Sequence, residues 1–168
     1  MSASAIDRRE LRRTLACFPT GVTVVTAVAP NGEYVGLTVN SFNSLSLDPP
    51  LVLWSLTAAS RSMAAFEQAT HFAINILAED QVEISRLFSS KSTHKFENME
   101  LKPGIGGAPL IADCAAYIEC RSHSRQRGGD HMLFIGEVER HRASSKRPLV
   151  FLHGHYACID GPPPAPSS

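Results

Sequence analysis

The sequence predicts a single mainly β domain, an antiparallel β-barrel surrounded by short helices. The chain has 168 residues, 43% of them apolar, which suffices for one substantial core but not for two ordinary domains. About seven segments have the length and composition of strands, with turn residues between them. The helical segments are short and do not alternate regularly with the strands, as a doubly wound sheet would require. We therefore expect one domain over residues 1–160.

Composition and charge exclude several classes of partner. Lys plus Arg (16) balance Asp plus Glu (16), so no excess positive charge is available to hold a nucleic acid or an anionic membrane. The sequence has no long apolar run and no apolar region of a secretion signal. The four cysteines lack a C-x-x-C pair and are expected to be buried or half-buried thiols in a reducing compartment. These features predict a soluble, cytoplasmic protein.

A short helix and then a β-hairpin are predicted at the start of the chain. Asp7, followed three residues later by Glu10, matches a capping box, and apolar residues then recur at helical spacing as far as residue 17. The segments 22–28 and 33–38 are strand-like and are separated by the turn sequence Pro-Asn-Gly. These two strands are expected to pair.

The middle of the chain is expected to contain a central strand. Residues 51–56 include almost no polar side chain, so both faces of this strand should be buried. The segments that follow are expected to be a helix over 61–69 capped by Ser60, a strand over 71–77, a helix over 80–88 and a loop over 89–110.

The last third of the chain is rich in strand-like segments. The predicted strands cover 115–121, 131–140, 149–152 and 156–159, with Gly128-Gly129 turning the first two. The Pro-rich tail over 161–168 is expected to be disordered.

A nucleotide-binding glycine loop is not supported by the sequence. The nearest candidate, Gly104-Ile105-Gly106-Gly107, follows no predicted strand and opens no predicted helix. Because such a motif must aim a helix N-terminus at the phosphates, we interpret this segment as a surface loop.

The segment 36–42 is a candidate for binding a planar heterocycle. Its hydroxyl and amide side chains crowd the place where a strand ends, and a ring system such as isoalloxazine needs donors at its edge and apolar groups against its faces. From the residues alone, a turn whose polar side chains satisfy their own backbone is an equally good interpretation.

Two further segments offer groups that suit a phosphate. Ser60-Arg61-Ser62 combines hydroxyls and a guanidinium at a predicted helix start, and the basic segment 91–96 could close over the same phosphate. The alternative interpretation is a helix cap followed by a solvated arginine and a solvated basic loop.

The histidines permit two interpretations. His131, His153 and His155 could form a three-histidine metal site, because alternate strand residues point to one face. The glycine between His153 and His155 and the lack of a nearby carboxylate favour surface or ligand-contacting histidines instead, so no metal is expected. No G-x-S-x-G elbow is present, and no residue demands an acid–base role, which suits hydride transfer between bound cofactors.

Several segments in order resemble one known family, the short-chain flavin reductases, which are flavin reductase-like proteins with the FMN-binding split barrel. They include FPTGVTVVT, GLTVNSF, GDH and FLHGHY, and together the similarity runs from about residue 8 to residue 157. The matching segments are 18–26, 36–42, 46–53, 60–62, 72–77, 107–110, 129–131 and 151–156.

The resemblance implies a Greek-key antiparallel barrel that forms a homodimer and reduces FMN or FAD with NADH or NADPH. Reduced flavin would then pass to a flavin-dependent monooxygenase. The residues implied to contact the flavin ring and ribityl chain are Thr38, Val39, Asn40 and Ser41. Those implied to reach the ribityl and phosphate groups are Ser55, Leu56, Ser60, Arg61, Ser62, Lys91, Lys95 and Phe96.

The same resemblance places the nicotinamide cofactor near His131, the one candidate for a direct catalytic role, and near His153, Gly154, His155 and Tyr156. His153 stands where the family usually carries arginine or another polar residue, so the choice between NADH and NADPH stays open. Two alternatives to the reductase are a flavin-binding carrier or sensor without turnover, and an enzyme like pyridoxamine phosphate oxidase, whose Arg- and Lys-rich substrate motifs are not visible.

Overall fold

The computed structural model describes residues 6–161. The predicted disordered tail lies outside the described residues, apart from Gly161. In the described range no helix has both the length and the apolar character needed to cross a membrane.

Short helices and many strands make up the described chain. The helices are α1 (Arg8–Leu15), α2 (Met63–Gln68) and α3 (Val82–Ser89), and Ile105–Gly107 forms one 3-10 turn. The strands are β1 (Thr20–Gly21), β2 (Thr23–Val28), β3 (Tyr34–Val39), β4 (Asn43–Leu47), β5 (Pro50–Thr57), β6 (His71–Ile76), β7 (Leu101–Pro103), β8 (Pro109–Ile111), β9 (Ala116–Gly128), β10 (His131–Ala143), β11 (Val150–Leu152) and β12 (His155–Ala157).

An antiparallel sheet of seven strands, in the order β3-β2-β6-β9-β10-β5-β4, forms the body of the molecule. β3 also contacts β5, so the two ends of the sheet approach each other and the sheet curls into a barrel. A small sheet β1-β11-β12 and the hairpin β7-β8 lie outside it. The predicted mainly β, antiparallel fold is confirmed.

An aromatic cluster fills the barrel. Trp54 is fully buried and stacks on Phe134 with ring centroids 4.6 Å apart, while Phe66 and Phe72 meet it edge-on. Such offset and edge contacts add to the free energy of burying the rings. A second cluster, under α3, includes Phe88 and fixes this helix against the sheet.

The prediction that β5 is a central strand buried on both faces was wrong. This strand lies between β10 and the edge strand β4, not at the centre of the sheet. Val52, Trp54 and Leu56 are buried, whereas Leu51 and Leu53 on the opposite face are only half-buried. α2 also begins two residues later than expected, because Ser60 forms a turn in which its hydroxyl accepts the Ser62 N–H.

The predicted loop over 89–110 contains structure that its glycines and prolines concealed. β7 and β8 pair there, and the 3-10 turn joins them. Gly106 is exposed, as a surface loop predicts, but it has a φ of 63° and a Cβ on it would lie 2.6 Å from the ring of His71, so the turn has no room for a side chain here. The thiols also differ from expectation: Cys114 and Cys120 are buried, but Cys17 and Cys158 are exposed.

Candidate active site

A cavity of about 260 Å³ opens where β3 ends, between α3 and the β11-β12 pair. It brings together the polar end of β3 and a tyrosine from near the C-terminus. Its lining residues are Val22, Thr38, Asn40, Ser85, Ser89, Phe151 and Tyr156.

Hydroxyl groups connect the walls of this cavity. The Thr38 hydroxyl donates to the Ser85 carbonyl at 2.7 Å, which leaves the lone pairs of its oxygen free. The Ser85 hydroxyl lies 2.9 Å from the Tyr156 hydroxyl. Only one of those two protons is used between them, so the pair can still donate to a ligand.

The Tyr156 ring is held on two sides. It meets Phe151 across the small sheet with centroids 5.5 Å apart, and the Arg86 guanidinium lies 5.7 Å from its centroid. Phe151 and Tyr156 are directly opposite each other in the β11-β12 register, which is why both reach the same cavity.

Four other predicted flavin contacts lie beside the cavity. The side chains of Val39 and Leu56 are buried in the barrel core, so only their backbone is available to a ligand. The Ser41 hydroxyl accepts the Ser55 N–H at 3.0 Å and donates to the Ser55 carbonyl at 3.2 Å. These bonds bring the ends of β3 and β5 together.

The segment Ser60-Arg61-Ser62 connects β5 to α2. Ser60 and Ser62 are tied to each other by the turn, and Ser62 is the N-cap residue without a side-chain capping bond. Arg61 is exposed, and within residues 6–161 its side chain has no hydrogen-bond or ion-pair partner. It is available to an anion.

The two lysines of the predicted phosphate loop have different surroundings. Lys91 is exposed, whereas the Lys95 ammonium donates to the Phe88 carbonyl at 2.8 Å and the Gly36 carbonyl at 3.4 Å. Burial lowers the pKa of Lys95. Phe96 packs on Phe88. Lys95 and Phe96 therefore hold α3 against β3.

The protein matches a known family over most of its length. The model of the flavin reductase like domain matches residues 15–160. The chain belongs to the flavin reductase family.

Relatives of this flavin reductase are themselves named as reductases. The FMN reductase (NADH) SmoA of Agrobacterium fabrum is 43% identical over 150 residues, which cover 89% of this chain and 85% of that protein. HsaB of Mycobacterium tuberculosis, the reductase subunit of a flavin-dependent monooxygenase, is 42% identical and covers 95% and 86%.

A solved structure of another protein is also similar to this chain. The NADH:FAD oxidoreductase SgcE6 of Streptomyces globisporus, in complex with NAD and FAD fragments, superimposes with a TM-score of 0.87 at 36% identity. The match covers 94% of this chain and 98% of that one. The predicted family and barrel fold are confirmed, and these relatives bear out the predicted function as a flavin reductase.

The three candidate histidines of the flavin reductase, His131, His153 and His155, lie at two different hairpins. His131 opens β10 opposite Thr57, and its ring nitrogen lies 2.8 Å from the Asp130 carboxylate. This hydrogen bond lowers the pKa of Asp130. His153 and Gly154 form the β11-β12 turn, and His155 is exposed on β12. Within residues 6–161, no three His, Cys, Asp or Glu side chains are grouped as metal ligands.

Sequence reasoning did not name the apolar cavity residues Val22 and Phe151, and it missed two polar ones, Ser85 and Ser89. Both lie on α3, and Ser85 contacts Thr38 across 47 positions of sequence. No local sequence pattern predicts such a contact, since a serine on a helix is ordinarily solvated. Cys114 and Cys120 offer no alternative chemistry, because burial raises the pKa of each thiol to about 12.

Proposed function

We propose that the chain transfers hydride from NADH or NADPH to FMN or FAD and releases the reduced flavin to a flavin-dependent monooxygenase. The observation that carries this proposal is the cavity where Thr38 and Asn40 lie beside Tyr156. The first two belong to the motif implied to contact flavin, and Tyr156 belongs to the motif implied to contact nicotinamide. Hydride transfer requires the two rings to touch, so these motifs must share one site.

The cavity lining fits a flavin ring. Thr38, Asn40 and Ser89 supply hydroxyl and amide groups for a polar edge, and Phe151 and Tyr156 supply flat apolar surface. At about 260 Å³ the space suits a ring system rather than a whole dinucleotide. The ribityl chain and phosphate must therefore extend along the surface, and we assign the phosphate to exposed Arg61 with Lys91.

The side chains of the cavity act by holding the flavin and nicotinamide rings in position. When bound, the flavin supplies the atom N5 that accepts hydride from the nicotinamide. The Thr38 hydroxyl donates its hydrogen bond to the Ser85 carbonyl, so its oxygen can accept a hydrogen bond from a ring N–H. The Ser85-Tyr156 hydroxyl pair can donate one hydrogen bond to a ring oxygen. His131 lies opposite Thr57 at the end of β5, and we propose that it contacts the nicotinamide without transferring a proton.

The proposed hydride donor is NADH. Both SmoA and SgcE6 are named as NADH-dependent, while one name specifies FMN and the other FAD. The same turnover assay, run with each flavin in turn, ranks the two acceptors for this chain.

The proposed assembly is a homodimer in the cytoplasm. The edge strand β4 exposes Leu47 (93%) and Leu45 (48%), an apolar surface that a second copy would cover. The exposed thiols of Cys17 and Cys158 suit a reducing compartment. Light scattering on the purified chain measures the dimer, and Leu47→Lys should shift it toward monomer.

Turnover with free flavin tests the proposed function. Purified protein is mixed with NADH and excess FMN or FAD, and the nicotinamide absorbance is followed. A rate of NADH consumption that increases with added flavin and then saturates supports the reductase. Tight flavin binding without consumption would instead identify a carrier or sensor. Flavin that stays bound and reacts only with oxygen would indicate an enzyme like pyridoxamine phosphate oxidase.

A further inference from the structure

A second groove, of about 630 Å³, lies between α1 and the turn that joins β11 to β12. Four of the chain's sixteen Lys and Arg residues line it, although the net charge of the whole chain is zero. The basic residues and the turn residues of this groove are Arg8, Arg9, Arg12, Arg13, His153 and Gly154.

The four guanidinium groups have no acidic partner within residues 6–161. Asp7 is the one acid that lines the groove, and its carboxylate already caps α1 by accepting the Arg9 N–H at 2.7 Å. Arginines four positions apart on one helix repel each other, so the arrangement weakens α1 unless an anion is bound. Guanidinium groups bind phosphate oxygens in pairs, which makes a phosphate the anion they suit best.

The wall opposite α1 is a constrained turn. His153 has a φ of 51° and Gly154 a φ of 81°, and a left-handed conformation is unusual for a residue other than glycine. The His153 N–H donates to the Ala16 carbonyl at 3.0 Å, directly after α1. This bond fixes the turn relative to the arginines. Strained backbone of this kind clusters at binding sites.

The same turn leads directly into the flavin cavity. Gly154 lines the groove, and Tyr156, two residues later on β12, lines the cavity. Two residues of a strand span about 7 Å. A molecule with phosphates in the groove and a ring in the cavity would therefore need a short linker between them, such as a ribose.

We propose that this groove binds the phosphate groups of the reduced nicotinamide dinucleotide, with Arg12 and Arg13 as principal contacts, while its nicotinamide ring enters the cavity beside Tyr156. The inference rests on the proposed flavin reductase function. It assigns to α1 a binding role that the sequence motifs did not include, and it places the phosphates of the nucleotide on the other side of the β11-β12 turn from the cavity in which the two rings meet.

The test compares a double variant, Arg12→Gln with Arg13→Gln, with a control of equal charge, Lys102→Gln with Lys146→Gln. α1 buries no side chain, so the first variant should fold normally, and the control lysines line neither the groove nor the cavity. Calorimetry with ADP-ribose measures binding of the phosphates without the nicotinamide ring. Turnover is measured with NADH and with a benzyl dihydronicotinamide, which has no phosphate.

The proposal predicts that the arginine variant binds ADP-ribose at least about tenfold more weakly and raises the KM for NADH by a similar factor. Its kcat and its KM for the phosphate-free donor should stay within about twofold of wild type, as should every parameter of the lysine control. Equal losses with both donors, or no loss with either, would overturn it. So would normal ADP-ribose binding combined with impaired flavin delivery to a monooxygenase, because the arginines would then dock a protein.

Failure of the proposed function gives a different result. If the wild type binds ADP-ribose through these arginines but never oxidises NADH in the presence of flavin, the groove is supported and the reductase activity is refuted. If turnover is normal and ADP-ribose binding does not depend on the arginines, the reductase stands and the groove assignment is refuted.

Discussion

The hydroxyl of Ser41 forms two hydrogen bonds with the backbone of Ser55, accepting its N–H at 3.0 Å and donating to its carbonyl at 3.2 Å. The Ser41 side chain thereby makes the two hydrogen bonds that the backbone of a neighbouring strand would make with Ser55 where the barrel closes. Because Thr38 lines the proposed flavin cavity three residues earlier, the shape of the cavity depends on this contact.

Ser41→Ala should weaken both the fold and flavin binding. Without the hydroxyl, the Ser55 N–H and carbonyl lose their partner, which costs about 1 to 2 kcal/mol of unfolding free energy. Flavin affinity should fall about tenfold as the end of β3 shifts. Urea unfolding and flavin titration measure the two effects, with exposed Ser44→Ala on β4 as control. Unchanged stability and unchanged flavin affinity would contradict this role.

Arg61→Ala should weaken binding of FMN about tenfold, roughly 1 to 2 kcal/mol, because a charge-assisted contact to the phosphate is lost. Riboflavin has the same ring but no phosphate, so its affinity should not change. Fluorescence titration of both flavins gives the comparison, and Lys102→Ala serves as a control on another surface. An equal loss for riboflavin and FMN would show that Arg61 does not bind the phosphate.

Ser85 and Tyr156 should behave as a coupled pair. Their hydroxyls lie 2.9 Å apart, so Ser85→Ala and Tyr156→Phe remove the same interaction. We expect the double variant to lose less flavin affinity than the sum of the two single variants, by about 0.5 to 1.5 kcal/mol. Titration of all four proteins measures this coupling, and strictly additive losses would mean that the hydroxyls act independently.

The ion pair between buried Glu119 and exposed Arg140 should make stability depend on pH. Burial disfavours the charged carboxylate, but hydrogen bonds from Arg140 at 2.6 and 2.7 Å and from the Ile105 N–H outweigh it and hold the pKa of Glu119 below its ordinary value of 4.5. A carboxyl with a lowered pKa contributes stability fully above its unfolded-state pKa. That contribution disappears as the pH falls through the lowered value.

Glu119→Gln should therefore cost about 1 to 2 kcal/mol at neutral pH, a modest figure because Arg140 is half exposed to solvent. The difference from wild type should shrink as the pH drops below about 4.5. Urea unfolding of both proteins across this range tests it. A difference that stays constant down to about pH 3 would show that the charge of Glu119 does not matter.

Much of the fold followed from local patterns. The turn sequence after β2 predicted the β2-β3 hairpin, and Asp7 does cap α1 through its carboxylate. The position of β5 was wrong because an uninterrupted apolar run does not distinguish a central strand from one beside an edge. The β7-β8 hairpin was missed because each strand has only three residues, too few to show a period.

The candidate site was predictable only in part. Thr38, Asn40 and Tyr156 were named from their motifs, but Ser85 joins them through packing of α3, which no local pattern encodes. Lys95 looked like a phosphate ligand, yet it caps α3 by binding the Phe88 carbonyl. The arginines of α1 were not singled out from the sequence, because only the contact of α1 with the His153 turn shows that they line a groove.

We expect flavin to bind in the cavity beside Thr38 and Tyr156 and to be reduced there. Ser89 and Ser90 provide a matched test, since both are exposed at the end of α3 but only Ser89 lines the cavity. The measurement is the rate of NADH oxidation as a function of free flavin concentration. Ser89→Trp, by filling the cavity, should raise the KM for flavin at least about tenfold, while Ser90→Trp should behave as wild type. Wild-type kinetics in Ser89→Trp would contradict it.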